Sequence, residues 1–388
     1  MRSIHSLGRM KRLTTRGAAL VGVAAALAVA VFVLAMLLSR ATGLRAEKPS
    51  EPEPFAVQTM GSLFAGGSVI SSPGTYSNLD PSNPAGQTLH VDHTYANFAI
   101  PPHARKLPLV MWHGCYSVAW ESTPDDREGY LPIFVRRGWS VYVLDQARQG
   151  RAGKSSQGFT TTVTTGDQAQ FTRFRIGLWP DYYPGVQFPR GEAALDHWLR
   201  QSGAANGPGN QNIAVSAGVA LFAKLGPSVL VNHSAGGLPG WITASQSANV
   251  KGIVSYEPVG FVFPDAEVPA PIATPLGPVV GTPMALADFE KLTKIPIQVV
   301  YGDNIPETVN PVPGPDLWRA RRIMARAFVA AVNRHGGDAQ FLSLPEIGIH
   351  GNTHFIFTDL NNVQIADLMS KYLHEKGLDK RGNGHDKD

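Results

Sequence analysis

A chain of 388 residues with 43% hydrophobic and 16% charged side chains can bury a substantial core, as one large α/β domain or two modest ones. Its formal charge of +4 does not mark a nucleic-acid binder, because residues 1–46 hold seven basic side chains and no acidic one, leaving the remainder slightly acidic and without a basic stripe. The single cysteine, Cys115, excludes an intramolecular disulfide, so the domain must rely on its core.

The N-terminus carries Arg2, Arg9, Lys11, Arg12 and Arg16, then an unbroken apolar run over residues 17–38, then Ser39-Arg40-Ala41. This order reads as a secretory signal, but the run exceeds the usual apolar region of about 7–15 residues and is long enough to span a bilayer. Cleavage near Ala41 and retention as a single membrane anchor both remain open, with the length favouring the anchor. Either way the charge order places residues from 47 onward outside the cytoplasm, periplasmic or secreted if the segment is cleaved. Residues 47–60, with Pro49, Pro52 and Pro54, read as a linker to a domain over residues 61–377, and residues 378–388 as a polar tail.

Residues 68–70 and 87–100 alternate as paired antiparallel strands at a sheet edge. Buried strands are expected at 107–112 and 139–145, with a short helix at 130–137 between them, closed by Gly138. No further strand is expected between residue 145 and residue 229. Residues 155–210 are rich in Gly, Thr and aromatics (Phe171, Phe174, Trp179, Tyr182, Tyr183, Phe188), and a structureless loop of that length reads better as an inserted cap. Its later part, 191–201, and then 212–225 are expected as helices. Strands follow at 250–256, 295–301 and 341–344, with a Pro-rich excursion at 258–283 and helices at 316–334 and 362–375. Near-continuously apolar strands alternating with helices predict a mostly parallel α/β sheet covered on both faces.

Val229-Leu-Val-Asn-His-Ser234-Ala-Gly-Gly237 is a strand that stops at a serine and turns at once into a helix. That is the form of a nucleophile elbow, which holds a weakly nucleophilic hydroxyl where a histidine can take its proton. Gly236 fits the need for small residues there, whereas Asn232 replaces the usual glycine. Other strand ends in such a sheet carry Glu257, Asp303 and the pair His350 and His354. The order serine, acid, histidine is that of α/β-hydrolases. Backbone amides for an oxyanion are expected from Ala235 and, in the loop His113-Gly-Cys-Tyr116, from Cys115. Topology favours Asp303 as the acid. His354 is taken as the base and His350 as a loop residue, and His233 must point away from the nucleophile. Cys115 has no histidine placed for it as a nucleophile, and His113, His350 and His354 lack a metal motif, so neither a metal nor a cofactor is expected.

Trp112-His-Gly-Cys115, Trp120-Glu-Ser-Thr-Pro-Asp125, Val143-Leu-Asp-Gln146 with Arg-Gln-Gly-Arg151, Asn232-His-Ser-Ala-Gly236, Tyr256-Glu-Pro258 and Gly351-Asn-Thr-His354 occur in order. This pattern resembles the bacterial 713-type secreted esterases of the α/β-hydrolase superfamily, over residues 61–377. The resemblance implies Glu257 as the triad acid, leaving Asp303 as the alternative, and His354 as the base. Family members often have a second cysteine where this chain has Tyr116, so no role of a cysteine pair carries over. The implied activity is two-step hydrolysis of a small-molecule carboxylic ester. Tyr116 and Trp120 would wall an apolar pocket for an ester with a hydrophobic or aromatic part. Lactone, amide or thioester cleavage, and a non-catalytic membrane-tethered binding module, are the alternatives. No nucleic-acid partner is expected, and nothing in the chain specifies an oligomeric state.

Overall fold

The strand Leu109–His113 is apolar along its whole length, and the computed structural model, which describes residues 54–114, 117–162 and 165–382, shows the reason. Successive side chains enter two different cores: Leu109 and Met111 join one, Val110 and Trp112 the other.

In chain order the elements are β1 (Thr59–Ser71), β2 (Thr88–Ile100), β3 (Leu109–His113), α1 (Tyr130–Arg136), β4 (Val141–Asp145), α2 (Asp167–Arg173), β5 (Gly177–Leu178), β6 (Asp181–Tyr182), α3 (Glu192–Arg200) and α4 (Gln211–Leu225). Then follow β7 (Ser228–His233), α5 (Gly237–Gln246), β8 (Val250–Tyr256), β9 (Val262–Pro264), β10 (Thr282–Met284), α6 (Leu286–Leu292), β11 (Pro296–Tyr301), α7 (Pro313–Arg334), β12 (Asp338–Ser343) and α8 (Asn362–Glu375). The main sheet has eight strands in the order β1-β2-β4-β3-β7-β8-β11-β12. β2 runs antiparallel to both β1 and β4, and the strands from β4 to β12 are mutually parallel.

One face of the sheet is covered by α1 and α8 through Tyr130, Phe134, Ile365 and Met369. The other is covered by α4, α5, α6 and α7 through Phe222, Trp241, Phe289 and Phe328. Local sequence sets the helix ends: Asn210 accepts from Ile213 N at 3.1 Å to start α4, and Pro313 and Pro315 occupy the first turn of α7, where a missing N–H leaves no intrahelical bond unmade.

The expected mostly parallel sheet with helices on both faces is therefore present, as is the antiparallel edge. β1 is longer than residues 68–70 because it is exposed on most of its length, so its residues carry little apolar alternation to read. β12 likewise starts at Asp338 with exposed polar residues. The stretch expected to lack strands holds the two-residue pairs of β5 and β6, and the Pro-rich excursion holds the parallel pair β9 and β10. β1 begins inside the segment expected as linker, and Leu378 is buried, with Lys106 N donating to Lys380 O at 2.9 Å, so the start of the expected tail is bound to the domain. Among the described residues no helix is long and apolar enough to cross a membrane. The apolar run 17–38, and with it the expected signal or anchor, lies outside the described residues, as do residues 47–53 of the linker and 383–388 of the tail.

Candidate active site

β7 delivers Ser234 at its carboxyl end with φ of 50°, a left-handed backbone that a side chain rarely adopts, and α5 begins three residues later. A β-carbon on Gly236 would lie 2.6 Å from Trp112 O, and one on Gly237 would overlap Pro258, so both positions must be bare. Asn232, standing where a glycine is usual, is fully buried and its Oδ1 accepts from the Ser255 hydroxyl. Its room comes from the helix: a β-carbon on Gly240 of α5 would overlap Asn232 Nδ2. The glycine that the strand lacks is supplied by the facing turn.

β8, next to β7 in the sheet, ends in Glu257, whose φ is 41°. Its Oε2 accepts from His354 Nδ1 at 2.8 Å, and both side chains are fully buried. Glu257 Oε1 accepts from Gly302 N at 2.8 Å and from the guanidinium of Arg175. Burial pushes the Glu257 carboxyl above its ordinary value, and Arg175 and the Gly302 amide work against that. His354 is held well below the ordinary histidine value by burial first, then by Arg175, His113 and Arg321. The carboxylate fixes the proton on Nδ1 and leaves the Nε2 lone pair open. That Nε2 is buried and without a hydrogen-bond partner among the described residues, so the Ser234 hydroxyl does not bond it here; catalytic contacts of this kind commonly tighten when substrate arrives.

The chain that carries Ser234 is nevertheless packed on His354. His233 Nε2 bonds His354 O at 2.9 Å, and the two rings lie 4.3 Å apart. His233 is thus turned into the core, as its position before the serine requires. Ala235 is exposed, and a β-carbon on Gly114 would lie 2.8 Å from its Cβ, so the loop after β3 comes up against the residue following the serine. Cys115 and Tyr116 lie outside the described residues.

No family model matches this chain. A novel bacterial esterase solved at atomic resolution, of the 713 type, is 30% identical to it with a TM-score of 0.67, over 84% of this chain and 98% of that one. The chain belongs to the α/β-hydrolase superfamily. A curated relative, the probable secreted lipase phiG of Fungal sp. (strain ATCC 74256), is 27% identical over 74% of this chain and 89% of its own length.

In this hydrolase Asp303 goes to a different histidine. Its Oδ2 accepts from Gly351 N at 2.8 Å and lies 3.3 Å from Nδ1 of the exposed His350. Trp120, expected on a pocket wall, is fully buried, stacked on Phe357 at 3.8 Å and 6.4 Å from the His233 ring. A cleft of about 520 Å³ runs between Ala244 and Ile295 at the amino ends of β8 and β11, away from these residues.

Two residues of the site escaped the sequence reading. Arg175, from the segment between β4 and α4, has no motif around it and reaches Glu257 only through tertiary packing. Asp359 is buried and accepts from Thr353 N at 2.7 Å, Thr353 Oγ1 at 2.8 Å and Asn352 Nδ2 at 3.0 Å, fixing the loop that carries His354. Burial pushes its carboxyl up to about 7, with those donors opposing and Glu257 adding to the rise. Five residues beyond a candidate histidine, it could have been found as a turn-forming Asp before α8. Among the described residues no group of His, Cys, Asp and Glu is arranged to hold a metal ion.

Proposed function

We propose that this chain is a serine carboxylic-ester hydrolase working through Ser234, His354 and Glu257, with the amides of Ala235 and Cys115 as oxyanion donors. The chain is a carboxylic-ester hydrolase in keeping with the bacterial esterase and the probable secreted lipase it is similar to. The observation that carries the triad is the 2.8 Å contact of Glu257 Oε2 with His354 Nδ1, at the end of the strand beside the one that holds Ser234 in a left-handed turn.

His354 Nε2 takes the Ser234 proton as Oγ attacks the ester carbonyl. Glu257 stabilises the imidazolium that forms. The alkoxide on the carbonyl oxygen is met by backbone N–H groups, and the imidazolium then protonates the departing alcohol. Water, deprotonated by the same nitrogen, releases the acid from the acyl-enzyme and restores the serine.

Between β4 and α4, Phe171 packs edge-on against Tyr182 and Phe188 against Trp198, while Phe159 and Trp179 are exposed. An ester with a hydrophobic or aromatic part is the substrate class this favours. The domain acts outside the cytoplasm, tethered through residues 17–38 if that segment is kept.

A serine-directed phosphonate tests the reading. The folded wild-type protein should gain one phosphonyl group on the peptide bearing Ser234, and Ser234→Ala should gain none. Absence of labelling on folded protein sinks the enzyme assignment in favour of a binding module. Esters of graded acyl and alcohol size, run beside matched lactones, amides and thioesters, separate ester hydrolysis from its chemical neighbours.

A further inference from the structure

Two consecutive residues between β4 and α4, Phe174 and Arg175, touch His354 and Glu257, and Arg173 before them holds Trp318, whose ring lies on the same imidazole. Trp318 Nε1 donates to Arg173 O at 2.7 Å, and His354 N donates to Phe174 O at 3.0 Å. Arg175 sends its guanidinium to Glu257 Oε1, and its Nε donates to Asp303 O at 2.8 Å. The Phe174 ring stacks on the His354 imidazole at 4.8 Å and 15°, and the Trp318 ring lies 4.2 Å from the same imidazole. Arg175 is fully buried with φ of 63°, which puts it with Ser234 and Glu257 in left-handed backbone. Non-glycine residues persist in that region only where the surroundings over-determine them.

A buried guanidinium facing a buried carboxylate is weak evidence for stability, since desolvation offsets much of the attraction. Its geometric effect is specific. With Oε1 occupied by Arg175 and Gly302 N, the Glu257 carboxylate can present only Oε2 to His354.

We propose that Arg175 is the positioning residue of the triad acid: it fixes the Glu257 carboxylate toward His354, so that seating of residues 173–175 of the insert is a condition for a working acid–base pair. This rests on the reading of Ser234, His354 and Glu257 as the triad. The charged and titratable groups facing His354 are Glu257 from the end of β8, His233 from β7, His113 from β3, Arg321 from α7 and Arg175 from the insert; Tyr301 and Asp359 face Glu257 in addition. Within that set Arg175 disfavours the imidazolium. Neutralising it lets His354 keep its proton to higher pH, so the acid limb of kcat/KM moves upward.

The full-length protein carrying Arg175→Gln should lose kcat about a hundredfold with little change in KM, and its acid limb should rise by about one pH unit. Arg175→Lys keeps the charge without the fork, so its limb should stay at the wild-type position with an intermediate kcat. Should Arg175→Gln fail to fold, Arg175→Met serves as the neutral variant. If neither folds, a limb displaced in Arg175→Lys overturns the proposal and an unmoved limb with lowered kcat upholds it. A folded neutral variant with wild-type kcat and limb overturns it, as does a limb that moves equally in the lysine variant. Phosphonate labelling of wild-type Ser234 and loss of turnover in Glu257→Gln are measured alongside. Their failure removes the triad itself, whereas their success with a silent Arg175→Gln removes only the role of Arg175.

Discussion

Glu257 Oε2 lies 2.8 Å from His354 Nδ1, while the carboxylate one strand further on, Asp303, is turned to Gly351 N at 2.8 Å and to His350. β8 and β11 are parallel neighbours, so both acids leave the same edge of the sheet, and the left-handed φ of 41° at Glu257 accompanies the turn of its side chain to the base. Replacing Glu257 by Gln removes the charge that favours the imidazolium and should lower kcat by about a thousandfold to ten-thousandfold. Asp303→Asn alters a half-exposed loop contact and should cost less than about tenfold. Turnover of a chromogenic ester by both variants checks this; if only the Asp303 change abolishes it, Asp303 is the acid.

Acid should weaken this protein through its buried histidines. Burial holds His113 down to about 3 and pushes His233 and His354 well below their ordinary value of 6.5. The unfolded chain then binds protons near pH 6.5 that the folded chain refuses, so their contribution to stability is intact above that pH and is lost as pH falls toward the folded values. Asp359, pushed up to about 7, has the opposite sign and weakens the fold as pH rises toward that value. His113→Gln isolates one histidine from this sum. Thermal melts should show wild type losing more stability than the variant between pH 6.5 and pH 3, whatever the offset in Tm between them.

How much of this was legible in the sequence follows from where each residue gets its environment. Ser234, Glu257 and His354 sit at the ends of segments whose apolar runs declare buried strands or whose short motifs repeat a known pattern, so local sequence singles them out as the candidates of the proposed triad. Proposing Glu257 rather than Asp303 from sequence rests on the motif, because both stand at strand ends and periodicity does not say which way a carboxylate turns. Arg175 was invisible because no motif surrounds it, and its meaning arises from contacts with residues far along the chain. The long edge strand β1 was read short for a related reason: exposed on most of its length, it has no core to impose alternation.

Gly351 links residues 185–187 to the loop that carries His354. Its φ is 81°, and a β-carbon there would overlap Gly185 O, while Gln187 N donates to Gly351 O at 2.8 Å. Gly351→Ala therefore strains the backbone and pushes residues 185–187 away from the segment leading to His354. The expected result is a loss of about 1–3 kcal/mol of stability with a fall in kcat larger than any change in KM. Denaturant melts and steady-state kinetics of the variant check both; an unchanged kcat means that this contact does not set the position of the base.

The departure of the elbow from a glycine at position 232 predicts an energetic coupling across the strand–helix turn. Asn232 accepts from the Ser255 hydroxyl and occupies space left by Gly240, where a β-carbon would overlap Asn232 Nδ2. Asn232→Gly leaves the buried Ser255 hydroxyl without its acceptor and opens a void, and should destabilise by about 1–3 kcal/mol. Gly240→Ala alone drives a methyl into the Asn232 amide and should cost a similar amount by overpacking, although alanine is the better helix former. In the double variant the methyl enters space that the amide no longer fills. Its cost should fall short of the sum of the two single changes by about 1 kcal/mol or more, which denaturant melts of the four proteins of the cycle resolve. Simple additivity would mean that strand and helix accommodate these side chains independently, and Gly240 would not be the counterpart of the missing strand glycine.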